Sequence, residues 1–149
     1  MIETEVTVPV TPERAFAALA DGWLYASWVV GASHIREVDP GWPAVGTRIH
    51  YSLGLWPLTV QDVTEVRAVD APRMLDLEAR LWPVGSARIR LDLDEVAPGV
   101  TRIRMTEHAM SGPGQLLPNA VQGLLLKPRN QESLGRLSDL IIGKSRAAT

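Results

Sequence analysis

The sequence predicts an α+β fold, with about seven strands and a long C-terminal helix in the order β-α-α-β6-α. Three observations carry this. Ile2, Thr4, Val6 and Val8 alternate with Glu3, Glu5 and Thr7, the period of a strand with one buried face. From Ala32 to His108, extended segments are separated by turn signals every ten to fifteen residues, the pattern of an antiparallel meander. The stretch Gln115 to Gly143 is the longest in the chain that reads as helix, either one or two joined end to end.

Taken in order, the opening strand ends at Val8-Pro9. Thr11-Pro12-Glu13 then starts a helix, with Thr11 as N-cap, Pro12 in the first turn and Glu13 at the positive end of the dipole. Phe16, Leu19 and Ala20 form its apolar stripe, and Asp21-Gly22 stops it. A second short helix is expected from Trp23 to about Val29. Strands follow over His34 to Val38 and Gly46 to Leu53, the second with Ile49, Tyr51 and Leu53 on one face. Leu58 to Ala68 is extended, but Val60, Val63 and Val66 do not alternate cleanly, which predicts a bulge. Met74 to Leu81 and Ala87 to Leu93 alternate strictly, and Thr101, Ile103 and Met105 continue the pattern after Pro98-Gly99. If the hairpin between the first two of these centres near Val84, Glu78 faces Arg90, and Asp92 or Asp94 faces Arg102 or Arg104 across the next. This charged array is a solvated outer face.

In the terminal segment, Leu134, Leu137 and Ile141 make one stripe, whereas Leu117, Val121 and Leu124 make another that points elsewhere on an ideal helix. Pro128 between them predicts a kink or break. On that reading the second half anchors to the sheet and the first half, Leu116 to Leu126, faces a cavity. Ser111-Gly112-Pro113-Gly114 is the joint before it, and Lys144 to Thr149 a frayed tail.

A chain of 149 residues that is 46% hydrophobic, with mean hydropathy near zero, is expected to form a single domain over residues 1–149 with a sizeable core. Net charge of −2 gives no basic footprint for nucleic acid. The absence of cysteine excludes thiol catalysis, disulfides and zinc-thiolate sites. The first residues lack the basic and apolar regions of a leader, and no run of about 18 apolar residues occurs, so a cytoplasmic location without membrane insertion is expected.

The element order, and several stretches along nearly the full chain, resemble the START-like (SRPBCC) superfamily and its polyketide cyclase/dehydrase-like branch. The resemblance lies in Val8-x-x-x-Pro12-Glu13-x-x-Phe16, Tyr25-x-x-Trp28-Val29-x-Gly31, Pro43-x-x-Gly46-Thr47, Ala71-Pro72-Arg73-x-Leu75 and Arg129-Asn130-x-Glu132-x-Leu134-x-Arg136-Leu137. It implies a helix-grip fold, a curved antiparallel sheet wrapped around the terminal helix with an apolar cavity between. It also implies binding of lipid-, sterol-, hormone- or polyketide-like molecules, with cyclisation, aromatisation or dehydration in some members.

Within that frame, Trp28, Tyr51, Leu53, Leu77, Met105, Glu107, Met110, Leu117, Val121 and Leu124 are the candidate lining residues for a small hydrophobic ligand. Glu107 continues the inward alternation of Ile103 and Met105, and a carboxylate there suits a general acid or base. His108, at the strand end, and Tyr51, the strand phenol, are the other candidates for proton chemistry in a cyclase- or dehydratase-type enzyme. His34, His50 and His108 share no metal-ligand spacing, so no metal or cofactor is expected. Three of the five tryptophans precede proline, at Trp42, Trp56 and Trp82, where they plug sheet ends or line a cavity mouth. Sparse inward acid/base residues favour binding over catalysis. A third alternative is an interaction module or homodimer using an apolar groove.

Overall fold

The computed structural model describes residues 1–53, 57–81, 85–116 and 118–147. β1 (Ile2–Val8) is followed by α1 (Pro12–Ala20), a single 3-10 turn (Gly22–Leu24) and α2 (Tyr25–Trp28). Six strands come next: β2 (Ala32–Val38), β3 (Arg48–Leu53), β4 (Val60–Asp70), β5 (Met74–Leu81), β6 (Gly85–Ala97) and β7 (Val100–Ser111). A 3-10 turn (Pro113–Leu116) leads into α3 (Asn119–Ala147). The strands form one antiparallel sheet in the order β1-β7-β6-β5-β4-β3-β2, so the first strand closes on the last. This is the helix-grip arrangement, with the long helix held against the curved sheet.

Alternation decides which side chains the helices cover. Ile49, Tyr51, Val66, Leu75, Leu77, Leu91, Leu93, Ile103 and Met105 face inward and are buried, meeting Phe16, Leu19, Leu134, Leu137 and Ile141 from the helices. The outer face carries ion pairs, including Arg88 with Asp76 at 2.6 Å and Arg90 with Asp92 at 3.0 Å. Register places Glu78 opposite Arg88 rather than Arg90, while Asp92 faces Arg104 and Asp94 faces Arg102.

Of the several register shifts in the sheet, two bear on the residues expected to line the cavity or to break the strand pattern. On β4 the register shifts between Val66 and Ala68, so Arg67 is the extra residue and both Val66 and Val69 reach the core side. Its guanidinium bridges Glu65 and Glu78 on the outer face. On β7, Ala109 pairs with Ala87 and Ser111 with Ser86, which leaves Met110 unpaired and turned outward. At this end β6 begins with Gly85, in the left-handed region at φ 123°, and a Cβ there would collide with the Ser111 carbonyl.

The structure corrects the expected break in the terminal helix. α3 runs through Pro128 as one element and continues to Ala147. Proline leaves the carbonyl of Leu124 without its helical donor, but Leu124 and Pro128 both lie on the solvent side, where a backbone carbonyl can be satisfied by solvent. An unbroken helix carries one stripe, in which Asn130, Leu134, Leu137 and Ile141 are buried. Extended back by turns of three and four, that stripe reaches Leu126 and Gly123, not Val121 and Leu124. Gly123 accordingly faces Ile2 of β1, and Leu116, Val121 and Leu124 are 86%, 37% and 77% exposed.

A stability contrast follows from this division of α3. Leu137→Ala should cost about 2–5 kcal/mol, as for other fully buried leucines, whereas Leu124→Ala should stay within about 0.5 kcal/mol. Urea unfolding of the two variants checks this, and equal losses would contradict the placement of the stripe.

Candidate functional site

The inward alternation of β7 carries a carboxylate to the helix side, where Glu107 has no exposed surface. A buried carboxylate needs donors and a compensating charge. Both come from consecutive residues of α3: Asn130 Nδ2 donates to Glu107 Oε1 at 3.0 Å, and Arg129 Nη1 donates to the same oxygen at 3.4 Å. The other oxygen, Oε2, is fully buried and has no hydrogen-bond partner. Arg129 also donates through Nε to the Val30 carbonyl at 3.2 Å, and Ser133 Oγ accepts from the Val30 N–H at 3.1 Å. The loop after α2 is thereby stapled to the same turn of α3 that holds the carboxylate.

Beside this cluster lies an enclosed cavity of about 10 Å³, walled by Tyr25, Trp28, Leu77, Ile89 and Met105 and closed by Arg129, Asn130 and Ser133. That volume admits about one water molecule. A larger cleft of about 640 Å³, lined by Gln61, Asp62, Glu78, Arg80, Ser86 and Ser111, is open to solvent and polar. Its ionic walls do not sequester an apolar molecule.

Tyr25, on the wall of the enclosed cavity, ends a hydroxyl chain that lies behind that wall. The Tyr51 proton is shared between the carbonyls of Arg80 at 3.0 Å and Val63 at 3.2 Å, and Tyr51 in turn accepts from Thr64 Oγ1 at 3.1 Å. Since each hydroxyl has one proton, Tyr25 must be the donor in its 2.8 Å bond to Thr64. The Tyr25 ring lies 5.6 Å from Trp28 in an edge-to-face contact and 5.4 Å from Tyr51. Burial pushes the Tyr25 phenol up to about 12, partly offset by the Thr64 hydrogen bond. Burial likewise pushes the Tyr51 phenol up.

Trp28, Leu77 and Met105 therefore lie together on the cavity wall, Glu107 lies behind its polar end, and Tyr51 is buried in the wall's hydroxyl chain. Leu53 sits partly buried at the edge of the core. Val121, Leu124 and Met110 are turned to solvent, the first two because the helix stripe passes through Gly123 and Leu126, the last because of the bulge. Leu117 lies outside the described residues. His108 faces away from the cavity, opposite Arg88 on the outer face, because it alternates with Glu107. Tyr51 is no better placed for proton transfer, since its only proton is committed to backbone carbonyls. Among the described residues no group of three or more His, Asp or Glu side chains could hold a metal ion. Nor is any described helix long and apolar enough to cross a membrane. Trp42 uses its indole N–H to cap the Leu19 carbonyl at the end of α1, while Trp56 and Trp82 lie outside the described residues.

Residues 1–141 match the family described as polyketide cyclase / dehydrase and lipid transport. The chain belongs to that family. Solved structures agree on the fold. Ara h 8.0201 is 20% identical with a TM-score of 0.71, covering 95% of this chain and 97% of its own. A conserved protein from Geobacillus kaustophilus is 14% identical with a TM-score of 0.72, at 95% and 94% coverage. DynU16, from the dynemicin biosynthetic locus, is 20% identical with a TM-score of 0.62, covering 93% of this chain and 45% of its own. No curated protein matches the chain.

As a polyketide cyclase/dehydrase and lipid transport family member, the chain has a fold built for hydrophobic ligands, and its polar contacts come from residues the lining expectations passed over. Arg129, Asn130, Ser133, Tyr25 and Thr64 were not among them. A signal for Asn130 exists in the sequence: it is a polar residue four before Leu134 and seven before Leu137, on an otherwise apolar stripe.

The tyrosine wall gives a pH prediction. A phenol near 10 in the unfolded chain and about 12 in the fold contributes stability that is complete below pH 10 and is lost as pH rises toward 12. As the chain has only two tyrosines, absorbance at phenolate wavelengths should stay flat through pH 10 and then rise together with loss of folded circular dichroism. Ionisation near pH 10 in the folded protein would refute the buried chain.

Proposed function

We propose that this protein binds one small hydrophobic molecule between the sheet and α3, with the polar end of that molecule beside Glu107, Arg129 and Asn130. The observation that carries the reading is the free, buried Oε2 of Glu107 behind an otherwise apolar wall. A native interior keeps such an orphan acceptor only rarely, and one calls for a functional role or a partner from outside the chain, whether water, ion or ligand. Family membership points the same way.

A cavity of about 10 Å³ is far below the ~300 Å³ of a small-molecule site, so binding must enlarge it. α3 is built for that. Leu134, Leu137 and Ile141 are fully buried, whereas the described side chains of the first two turns lie mostly in solvent. The second half of the helix anchors the first, which lifts from β1 to admit the ligand. Of the three residues considered for proton chemistry, His108 faces outward and Tyr51 has its proton committed to backbone carbonyls, which leaves Glu107, and no second acid or base stands opposite it among the described residues. That favours carriage or sensing over a cyclase or dehydratase reaction.

Phenylnaphthylamine, a neutral apolar fluorophore, should bind saturably at one per chain and quench or shift Trp28 emission. Amides of residues 119–127 should exchange with deuterium faster than those of 134–141, and the fluorophore should slow the former. Non-saturable binding, or uniform exchange along α3 that the probe leaves unchanged, would overturn the proposal.

A further inference from the structure

The buried polar groups on the inner face of β1 and β7 say which chemical class of ligand fits, an inference that rests on the ligand-binding reading above. Two side-chain oxygens there lack partners: Glu107 Oε2 and Thr4 Oγ1. Thr4 is 5% exposed and Glu107 is fully buried. Thr4 pairs with Met105 and Ile2 with Glu107, so Thr4 and Glu107 are diagonal neighbours on one face of adjacent strands. Such positions lie about 7–8 Å apart.

The two orphans differ in what they need. Oε2 of a carboxylate accepts only, and Thr4 Oγ1 can donate or accept. A hydroxyl is a small neutral group that can donate to Oε2 while accepting from the threonine. Charge narrows the choice further. Glu107 is already neutralised by Arg129, so the cluster carries no net charge to match an ionic ligand. A ligand carboxylate would meet the lone pairs of Oε2 in a site with little water to screen them. A ligand ammonium would meet the Arg129 guanidinium. Both would also be desolvated against Trp28, Leu77, Ile89 and Met105.

We infer that the site selects a neutral, hydroxyl-bearing apolar molecule, an alcohol or phenol, whose O–H donates to Glu107 Oε2 and whose oxygen accepts from Thr4 Oγ1. Glu107 and Thr4 are then specificity-determining residues. Carboxylate lipids such as free fatty acids are excluded.

Three probes matched in their apolar body test this: naphthol, methylnaphthalene and naphthoate, each substituted at the same ring position, measured by displacement of phenylnaphthylamine from the intact protein. Naphthol should bind about tenfold or more tighter than methylnaphthalene, the gain expected of a hydrogen bond to a charged acceptor. Naphthoate should be the weakest. In Glu107→Gln the preference for naphthol over methylnaphthalene should shrink to within about threefold. Thr4→Val, which preserves shape and does not touch the ion pair, should give a smaller loss confined to naphthol. It serves as the test if the glutamine variant does not fold. Equal binding of naphthol and methylnaphthalene by the natural sequence overturns the hydroxyl assignment while leaving ligand binding intact. A naphthol preference undiminished in both variants does the same. Failure of phenylnaphthylamine and all three probes to bind overturns the ligand-binding reading itself.

Discussion

A carboxylate with no exposure, set on a strand beneath a helix, constrains everything that touches it. Left alone, the Glu107 charge would cost more than a small domain's whole stability margin, so α3 must deliver a cation and a donor to one place on β7. Arg129 and Asn130 do this from adjacent positions, which fixes both the rotation of the helix and its height above the sheet. The rest of the stripe follows: with Asn130 turned inward, Leu134, Leu137 and Ile141 fall onto the core. The same turn reaches sideways to Val30 through Arg129 and Ser133, so the loop after α2 is positioned by the ion pair as well. The interaction is a registration device more than a source of net stability, since buried ion pairs roughly break even against apolar replacements.

Pro128 sits one residue before this cluster, and its location separates two energetic regimes within one helix. After it, each turn buries a leucine or isoleucine, worth about 1.5–3 kcal/mol of transfer free energy apiece. Before it, the exposed Val121 and Leu124 contribute little, and one helical hydrogen bond is missing. Gly123 against Ile2 adds only an ordinary van der Waals contact. Local opening free energy should therefore fall steeply across Pro128, without any break in the helix.

The strands were legible because alternation is a direct print of a half-buried sheet. β4 does carry a bulge, at Arg67, although the uneven spacing of Val60, Val63 and Val66 that suggested one lies before it, where the register is regular. The β5–β6 register missed by two residues because hairpin geometry, not side-chain pattern, sets it. The two leucine stripes of α3 misled for a more specific reason. Sequence shows which residues share a face but not whether a helix continues through proline, and that depends on water reaching the Leu124 carbonyl. Met110 was hidden by a bulge at a strand end, where too few residues remain to show the change of phase. Within the site, Glu107 was legible from its place after Ile103 and Met105. Asn130 and Arg129 were not, because a polar residue on an apolar stripe gains meaning only when its buried partner across the sheet is known.

On the proposed reading the cavity has one fixed wall and one that moves, and the two do different work. The fixed wall includes Tyr25, backed by Thr64 and Tyr51, a relay of hydroxyls ending on the Arg80 and Val63 carbonyls. Every proton in it is already placed, so a ligand acceptor that bonded there would have to displace an existing bond and leave a buried acceptor unmatched, at about 1–3 kcal/mol. This wall selects mainly by shape. Polarity is read at the opposite end, where Glu107 Oε2 and Thr4 Oγ1 remain open. They lie beneath α3, the element that must shift for the cavity to grow. A ligand that satisfies them gains its hydrogen bonds where the helix meets the sheet, which makes recognition and closure of α3 one coupled event.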